Sequence, residues 1–215
     1  MISVLVVDDH ELVRSGITAI LADAKGIEVV GQAESGEDAV QFVKEHEPDV
    51  ILMDVHMPGI GGLEATRKIT KSWQDTKVIA VTACDDNPFA QRLLQAGASG
   101  YITKGADADE MIMAIIKVQH GQKYISTEIA QRMALRPFQE TSQNPFDELS
   151  EREMQIALMI VNCQRPATIG EKLFLSPKTV NSYRYRIFEK LGIDGDVELT
   201  RLAIRHGLID PNSLA

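Results

Sequence analysis

Five polar residues in the first half of the chain each lie at or just after the end of a short apolar run. They are Asp8, Asp9, Asp54, Thr82 and Lys104, and the runs are SVLVV, VILM, VIAVT and GYIT. Carboxylates that are brought together repel one another unless a proton or a cation lies between them. Mg²⁺ suits such a cluster because it takes oxygen ligands and keeps several of its waters. The three aspartates are therefore candidate ligands of Mg²⁺.

The same residues could carry out phosphoryl chemistry. A carboxylate beside a divalent ion can attack phosphorus and form an acyl phosphate. The Lys104 ammonium would pair with the phosphoryl charge, and the Thr82 hydroxyl would donate to a phosphoryl oxygen. The sequence MPGIGG after Asp54 supplies a glycine-rich loop through which backbone can approach an ion closely. Each residue taken singly is more often a solvated loop residue or a helix cap, so the joint pattern is what indicates a site.

These side chains need a scaffold that brings the ends of several strands together. From residue 1 to 121, short β-branched runs alternate with amphipathic stretches, which predicts five βα units. Continuous apolar runs such as residues 4–7 are typical of parallel strands that are buried on both faces. Ligands of such sheets bind at the carboxyl ends of the strands. The predicted fold is a doubly wound, flavodoxin-like α/β domain with a five-stranded parallel sheet, ending near Gly121.

The chain changes character after this domain. Residues 122–148 contain RPFQETSQNPFDE, which is rich in Pro, Gln, Asn and Ser, and we interpret them as a linker with a short helix after Ser126. Residues 149–215 show helical periodicity throughout. Ser150 and Glu153 form a capping-box pair at the start of the first helix. The second half is therefore predicted to be an all-α domain.

Three further helices are predicted in this domain, over residues 169–174, 177–191 and 197–206. The middle one has the clearest signals, with Ser176 as N-cap, Pro177 at its first position and Gly192 after its end. A helix-turn-helix places polar side chains of its second helix in the major groove of DNA. Asn and Ser can bond base edges, and Lys and Arg suit phosphates. The candidate DNA-contacting residues are Lys178, Thr179, Asn181, Ser182, Arg184, Tyr185 and Arg186.

The other face of helix 177–191 is predicted to pack on the core. Val180, Tyr183, Ile187 and Leu191 recur at spacings of three and four residues. Periodicity by itself predicts only an amphipathic surface helix, and most such helices bind no nucleic acid.

The distribution of charge is compatible with a nucleic-acid partner for the second half. The net charge is −9, but residues 1–122 hold 10 Lys/Arg and 19 Asp/Glu, whereas residues 123–215 hold 12 of each. Residues 172–190 carry five basic residues and one acidic residue. A basic segment in an otherwise neutral domain can meet phosphates.

Composition excludes several other classes of protein. No run approaches the roughly 20 apolar residues of a membrane span, and acidic residues interrupt the apolar start, so a cytoplasmic protein is expected. Cys84 and Cys163 have no CxxC spacing, which disfavours metal or disulfide frameworks and predicts two buried small apolar residues. No GxGxxG follows a strand, which argues against a dinucleotide cofactor.

The strings VLVVDDHE, DVILMDVHMPGIGG, VIAVT and GYITKG resemble, in order, the receiver domain of two-component response regulators. The resemblance covers residues 2–121. It implies that Asp54 accepts phosphate from a histidine kinase, and that the His56 backbone carbonyl joins the aspartates around Mg²⁺. It also implies that Tyr101 is a switch aromatic that turns inward as Thr82 moves toward the phosphate. Gly105 departs from the pattern, because many receivers have proline after the lysine.

The strings LSEREMQIALMIV and IGEKLFLSPKTVNSYRYRIFEKLGI resemble the four-helix LuxR-type output domain of the NarL/FixJ group. The match covers about residues 149–209 and implies that helix 177–191 reads DNA, with Asn181, Ser182 and Tyr185 reaching the bases. Gly170 departs from the family, which commonly has alanine there. Details such as VELTRLAIRHGLI are similar to the GacA/UvrY type, which implies a GacS/BarA-like hybrid sensor kinase as partner and promoters of small regulatory RNAs as targets.

Two alternatives from other classes stay open on the residues. Aspartate nucleophiles with Mg²⁺ also serve phosphohydrolases, although no second acid follows Asp54 at short range to release a product. The helical half could instead bind a protein or RNA, since its charge excess is modest. The favoured interpretation is a regulator rather than an enzyme, whose phosphorylation controls sequence-specific DNA binding and transcription.

A homodimer is expected on DNA, because one recognition helix reads only a few base pairs. The last helix is the candidate surface, since Leu199, Leu202 and Ala203 lie at helical spacing. These residues could equally complete the core of the small domain.

Overall fold

The computed structural model describes residues 1–57, 59–82, 89–135, 144–206 and 208–209. The described residues up to 135 form one compact unit, and those from 144 onward form a second. Each unit is considered separately below.

The first unit is a parallel sheet with helices between its strands. Its strands are β1 (Ile2–Val7), β2 (Ile27–Ala33), β3 (Val50–Asp54), β4 (Lys77–Thr82), β5 (Gly100–Thr103) and β6 (Tyr124–Ile125). Its helices are α1 (Glu11–Ala22), α2 (Gly36–His46), α3 (Gly61–Ser72), α4 (Phe89–Gln95), α5 (Ala108–Gln119) and α6 (Thr127–Leu135). The strand order is β2-β1-β3-β4-β5-β6, and every pair is parallel. The predicted doubly wound α/β architecture is confirmed.

The apolar runs of the central strands form two cores, one on each face of the sheet. Successive side chains of a strand point to opposite faces. Val4 and Val6 accordingly pack with residues of α1 and α5, whereas Leu5 and Val7 pack with residues of α2 and α3. This two-sided burial explains why the runs are continuous rather than alternating.

The prediction of five strands was wrong, because the sheet has a sixth strand, the short edge strand β6. Gly121 adopts a φ of 78° just after α5, and the chain then returns along β5. The Tyr124 N–H donates to the Ser99 carbonyl and the Ser126 N–H to the Tyr101 carbonyl, both at 3.0 Å. Two paired residues carry no period-2 pattern, so the sequence alone contains no signal for β6.

The second unit is entirely helical where the structure describes it. It contains a 3₁₀ helix (Pro145–Glu148) and four α-helices: α7 (Glu151–Val161), α8 (Pro166–Leu173), α9 (Pro177–Leu191) and α10 (Asp196–Arg205). The capping box of Ser150 and Glu153 is present. Helix α9 has the predicted bounds, with the Ser176 side chain accepting the Thr179 N–H and Gly192 at a φ of 63°.

Three expectations for this unit need correction. Helix α8 begins at Pro166, three residues earlier than predicted, because proline at a first helical position starts the helix. Cys163 is exposed rather than buried, since it lies in the turn between α7 and α8 at a φ of 57°. Of the expected core face of α9, Val180 and Ile187 are buried, whereas Tyr183 and Leu191 are only partly covered. The predicted burial of Cys84 lies outside the described residues.

Among the residues that the structure describes, no helix is both long and apolar enough to cross a membrane.

Candidate functional site

An acidic pocket lies at the carboxyl ends of the central strands. Asp8 directly follows β1, and Asp54 is the last residue of β3; their exposed fractions are 1% and 2%. Asp9 is more open, with 23% of its side chain exposed. Because the strands are parallel and neighbouring in the sheet, their ends bring these carboxylates together, as the sequence predicted.

Lys104 bridges the two buried carboxylates. Its Nζ lies 2.6 Å from Asp8 Oδ2 and 3.1 Å from Asp54 Oδ2. The lysine follows β5, and its backbone N–H donates to the Thr82 carbonyl at 2.6 Å. Burial disfavours the ammonium, but the Asp54 and Asp8 carboxylates outweigh this effect and raise the pKa of Lys104 above its usual value. Lys104 therefore stays a cation in the pocket.

Asp54 is a carboxylate whose ionisation is finely balanced. Desolvation by burial raises its pKa to about 7, even though Lys104 opposes the rise, and the neighbouring Asp8 charge adds to it. The His56 N–H donates to Asp54 Oδ1 at 3.3 Å and favours the ionised form weakly. A further cation near Asp54 would therefore shift it to its charged, nucleophilic state.

The pocket could hold a divalent cation. One ligand atom each from Asp8, Asp9, His10 and Asp54 lies within 4.8 Å of the others. Three of the four donors are carboxylates, and a single lysine does not balance their charge. Hard oxygen donors with uncompensated negative charge fit Mg²⁺. The donor set is thus consistent with the magnesium site expected from the sequence.

Two residues near the pocket were missed by the sequence analysis. His10 Nδ1 lies 2.9 Å from Asp9 Oδ1, and the His10 N–H donates to Asp8 Oδ1 at 2.8 Å. Arg14 is buried and donates to the Asp8 carbonyl at 2.7 Å. The sequence signal that could have identified Arg14 is its position on the same face of α1 as the apolar residues Ile17 and Leu21.

Thr82 and Tyr101 are both buried, at 0% and 1% exposure. Thr82 is the last residue of β4 and pairs with Thr103 of β5. Tyr101 lies two residues before Thr103 in β5 and pairs with Ala80 of β4. Both therefore belong to the strands that end at the pocket, and the Tyr101 ring lies inward in this structure. The expected role of the His56 carbonyl stays a prediction.

The loop after Asp54 packs very closely on the end of β3. A Cβ atom on Gly62 would lie 2.0 Å from the Asp54 carbonyl oxygen. The Gly62 N–H donates to the Val55 carbonyl at 3.2 Å. Glycine at this position allows the start of α3 to approach the backbone of the candidate nucleophile.

The second unit exposes one polar face of α9. Lys178, Ser182, Tyr185 and Arg186 lie on this face, and Tyr185 has 72% of its surface accessible. Asn181 is half-buried on the same stretch. An aromatic this open on a polar helix face contributes nothing to the core of its own unit, so it is available to a partner.

Thr179 and Arg184 are used within the unit. Thr179 takes part in the N-cap of α9, where its N–H donates to Ser176 Oγ at 3.1 Å. The Arg184 guanidinium forms a two-pronged ion pair with Asp196 at the start of α10, with Nε 2.7 Å from Oδ1. Contact of Arg184 with a DNA phosphate remains a prediction, but the Arg184 guanidinium is already paired with Asp196.

Gly170 allows the turn before α9 to pack on α8. The Leu175 N–H donates to the Gly170 carbonyl at 2.8 Å, and a Cβ on Gly170 would lie 2.5 Å from the Leu175 carbonyl oxygen. Glycine at position 170, where the family commonly has alanine, thus allows close packing within the helix-turn-helix.

Each half of the chain matches a known protein family. Residues 4–116 match the response regulator receiver domain, and residues 147–203 match the bacterial regulatory proteins of the luxR family. The chain belongs to the two-component response regulators with a LuxR-type DNA-binding domain. Members of this family pair with histidine kinases and bind DNA to regulate transcription, and they are not enzymes.

Relatives match this response regulator along its whole length. It is 64% identical over 210 residues to the response regulator GacA of Pseudomonas protegens, covering 98% of this chain and 99% of the relative. It is 57% identical over 216 residues to the response regulator UvrY of Escherichia coli strain K12, covering 100% of this chain and 99% of the relative. RcsB of Salmonella enterica serovar Typhimurium, solved bound to the rprA promoter with a phosphomimetic, has a TM-score of 0.72. At 20% identity over 94% of this chain and 98% of that chain, RcsB shows the shared fold.

Proposed function

We propose that Asp54 accepts a phosphoryl group from the phosphohistidine of a sensor kinase and that this event controls DNA binding by α9. The observation that supports this assignment is the burial of Asp54 at a strand end, within reach of both Lys104 and a second buried carboxylate. An Asp54 oxygen forms the new bond to phosphorus while the bond from phosphorus to the kinase imidazole nitrogen breaks. The imidazole leaves with that electron pair.

The surrounding residues divide the remaining work. Lys104 pairs with the incoming phosphoryl oxygens, which requires it to give up part of its contact with Asp54. The Thr82 hydroxyl donates to a phosphoryl oxygen, and Tyr101 on the neighbouring strand responds to the movement of Thr82. The receiver occupies residues 1–121 in this proposal.

Asp8, Asp9, Asp54 and the His56 carbonyl would hold Mg²⁺ in this pocket. The bound ion supplies positive charge that ionises the acceptor carboxylate and offsets the charge of the phosphoryl group. One carboxylate oxygen of Asp8 pairs with Lys104, and the other accepts a hydrogen bond from the His10 N–H, so the Asp8 carboxylate is already oriented.

The experiment that tests the acceptor uses acetyl phosphate as a small phosphoryl donor with the full-length chain and Mg²⁺. Asp54→Asn should abolish the acid-stable, base-labile label, because it removes the proposed acceptor carboxylate. Asp75→Asn is the matched control, since Asp75 is exposed on the same unit. Stoichiometric labelling of Asp54→Asn would overturn the assignment.

The DNA-reading surface is proposed to be the exposed face of α9, within an output domain of residues 149–215. Asn181, Ser182 and Tyr185 read bases, and Lys178 and Arg186 contact phosphates. All of these residues except the half-buried Asn181 are exposed, and this exposure and the local excess of positive charge support the division. Asn181→Ala and Tyr185→Ala should reduce discrimination between operator and random duplex at fixed salt. Equal losses on both duplexes would mean that the base-reading face lies elsewhere.

The segment of residues 122–148 is proposed to link the two domains, and it begins with β6 and α6 against the receiver. The identities of 64% to GacA and 57% to UvrY support a GacS/BarA-like hybrid kinase as partner and promoters of small regulatory RNAs as targets. Because it acts on DNA, we place the protein in the cytoplasm.

A homodimer is the proposed active form on DNA. Leu199 and Ala203 of α10 are buried at 0% and 1%, so they complete the core of the unit rather than form a dimer surface, whereas Leu202 is partly buried. Val197 is 68% exposed at the first turn of α10 and is the better candidate for a contact between copies. Sedimentation of the phosphorylated chain with operator DNA should show two copies per site, and a single copy at saturation would refute the dimer.

A further inference from the structure

Arg14 is a buried cation beside the acidic pocket that the proposed chemistry does not use. It is the fourth residue of α1, only 6% exposed, and it is the sole basic residue among the buried side chains of the described ranges. Desolvation of a guanidinium is unfavourable unless hydrogen bonds and opposite charge compensate it. An alanine or leucine would fill this stripe of α1 without that penalty, so the charge has a purpose beyond packing.

The guanidinium of Arg14 joins two loops at the carboxyl edge of the sheet. One terminal nitrogen donates to the backbone carbonyl of Asp8 at 2.7 Å, and the other donates to Glu34 Oε1 at 3.1 Å. Asp8 begins the turn from β1 into α1, and Glu34 begins the turn from β2 into α2. The side chain of Glu34 is 75% exposed, whereas Asp8 is buried. The contact with Asp8 is therefore the stronger of the two.

With Arg14 in place, every polar group of Asp8 is fixed. Its N–H donates to the Ala33 carbonyl at 3.2 Å, and its carbonyl accepts from Arg14. Its two carboxylate oxygens accept from the His10 N–H at 2.8 Å and from Lys104 at 2.6 Å. The residue can thus neither rotate its peptide nor swing its carboxylate without breaking a buried hydrogen bond.

We propose that Arg14 is a positioning residue for the metal and phosphoryl site, acting through the main chain of Asp8. This inference rests on the proposed function of the pocket. By holding the Asp8 carbonyl, Arg14 sets the direction in which Asp8 and the adjacent Asp9 present their carboxylates.

Arginine is suited to this task in a way that lysine is not. Its planar fork donates along two fixed directions, so it can hold the Asp8 carbonyl and Glu34 at once. A lysine at the same place would keep the charge but present a single nitrogen on a flexible stem. Arg14→Lys therefore separates the geometric contribution from the electrostatic one.

The test is calorimetric titration of MgCl₂ into the full-length protein. The variants are Arg14→Gln, Arg14→Lys and, as a matched control, Glu34→Gln, which weakens the exposed contact and leaves the Asp8 contact intact. Removal of residues that orient metal ligands typically weakens metal affinity about 10- to 100-fold, so Arg14→Gln should raise the Mg²⁺ Kd at least about tenfold. Arg14→Lys should lie between this value and wild type, and Glu34→Gln should stay within about threefold of wild type.

A parallel urea titration, monitored by the fluorescence of the single tryptophan, Trp73, reports the stability of the receiver. A purely structural arginine would lower stability and leave the Mg²⁺ Kd unchanged, and that result would overturn the inference. If Arg14→Gln does not fold, Arg14→Lys decides, because a Kd equal to that of wild type would also overturn it. Failure of the wild-type protein itself to bind Mg²⁺ would instead refute the proposed metal site.

Discussion

The stability of the receiver without divalent cations should fall as the pH rises toward neutrality, because of Asp54. Burial raises the pKa of this carboxyl from 3.8 to about 7. Between these two values the folded state keeps a proton that the unfolded chain has released. Stability decreases with pH wherever the folded state binds more protons, so the decrease begins near pH 4 and is complete just above pH 7.

The magnitude follows from the shift of about three units. At about 1.4 kcal/mol per unit, the buried charge lowers the free energy of unfolding by about 4 kcal/mol over the full range. Work below about pH 5.5 would approach the isoelectric point of about 5.1, where the net charge vanishes and solubility suffers. From about pH 5.5 to 8 the free energy of unfolding should fall by about 2 kcal/mol, since about half of the total loss occurs below about pH 5.5.

The assay compares urea unfolding of the wild-type chain and of Asp54→Asn in EDTA, at half-unit steps of pH. Trp73 is the only tryptophan and lies just after α3, so its fluorescence follows the receiver without truncating the protein. The asparagine side chain has nearly the same shape as aspartate and no charge, so the difference between the two proteins cancels the titration of all other groups. Saturating Mg²⁺ should abolish the decline, because the cation favours the ionised carboxylate.

A difference between the two proteins that stays constant to within about 0.5 kcal/mol from about pH 5.5 to 8 would refute this reasoning. It would mean that the folded pocket already stabilises the ionised carboxylate fully, through Lys104. The need for a divalent cation to ionise the acceptor would then disappear as well.

Four further substitutions test packing and local contacts. Gly62→Ala should lower stability by about 1–3 kcal/mol and slow labelling by acetyl phosphate, because its Cβ would meet the Asp54 carbonyl at 2.0 Å; wild-type stability in urea would contradict the close approach. Ser150→Ala should lower the stability of the output domain by about 1 kcal/mol, since it removes the N-cap of α7; an unchanged helical melt by circular dichroism would count against this. Arg184→Ala and Asp196→Ala should weaken operator binding alike in gel-shift titrations if Arg184 acts through their ion pair. A larger loss for Arg184→Ala, with a shallower salt dependence, would show direct contact with a phosphate.

Much of the fold could be predicted because its signals are local. The bounds of α9 follow from Ser176, Pro177 and Gly192, each of which acts within one turn of the helix. The central strands follow from apolar runs that are too continuous for a sheet with a solvated face. Convergence of Asp8 and Asp54 then follows from topology, because parallel neighbouring strands end on the same edge.

Other features depended on partners that are distant in the chain. Strand β6 forms because β5 leaves an edge open, and Arg184 has a partner because α10 begins beside α9. The pKa of Asp54 arises from burial and from Lys104, which lies fifty positions further on. The anchoring of Asp8 by Arg14 likewise required α1 to pack against the sheet. The sequence determined the central strands, most of the helices and which edge of the sheet carries the chemistry, because those signals act over a few residues. Only the packing of the elements decided how each charge is desolvated and paired, because both effects depend on distances that local patterns do not contain.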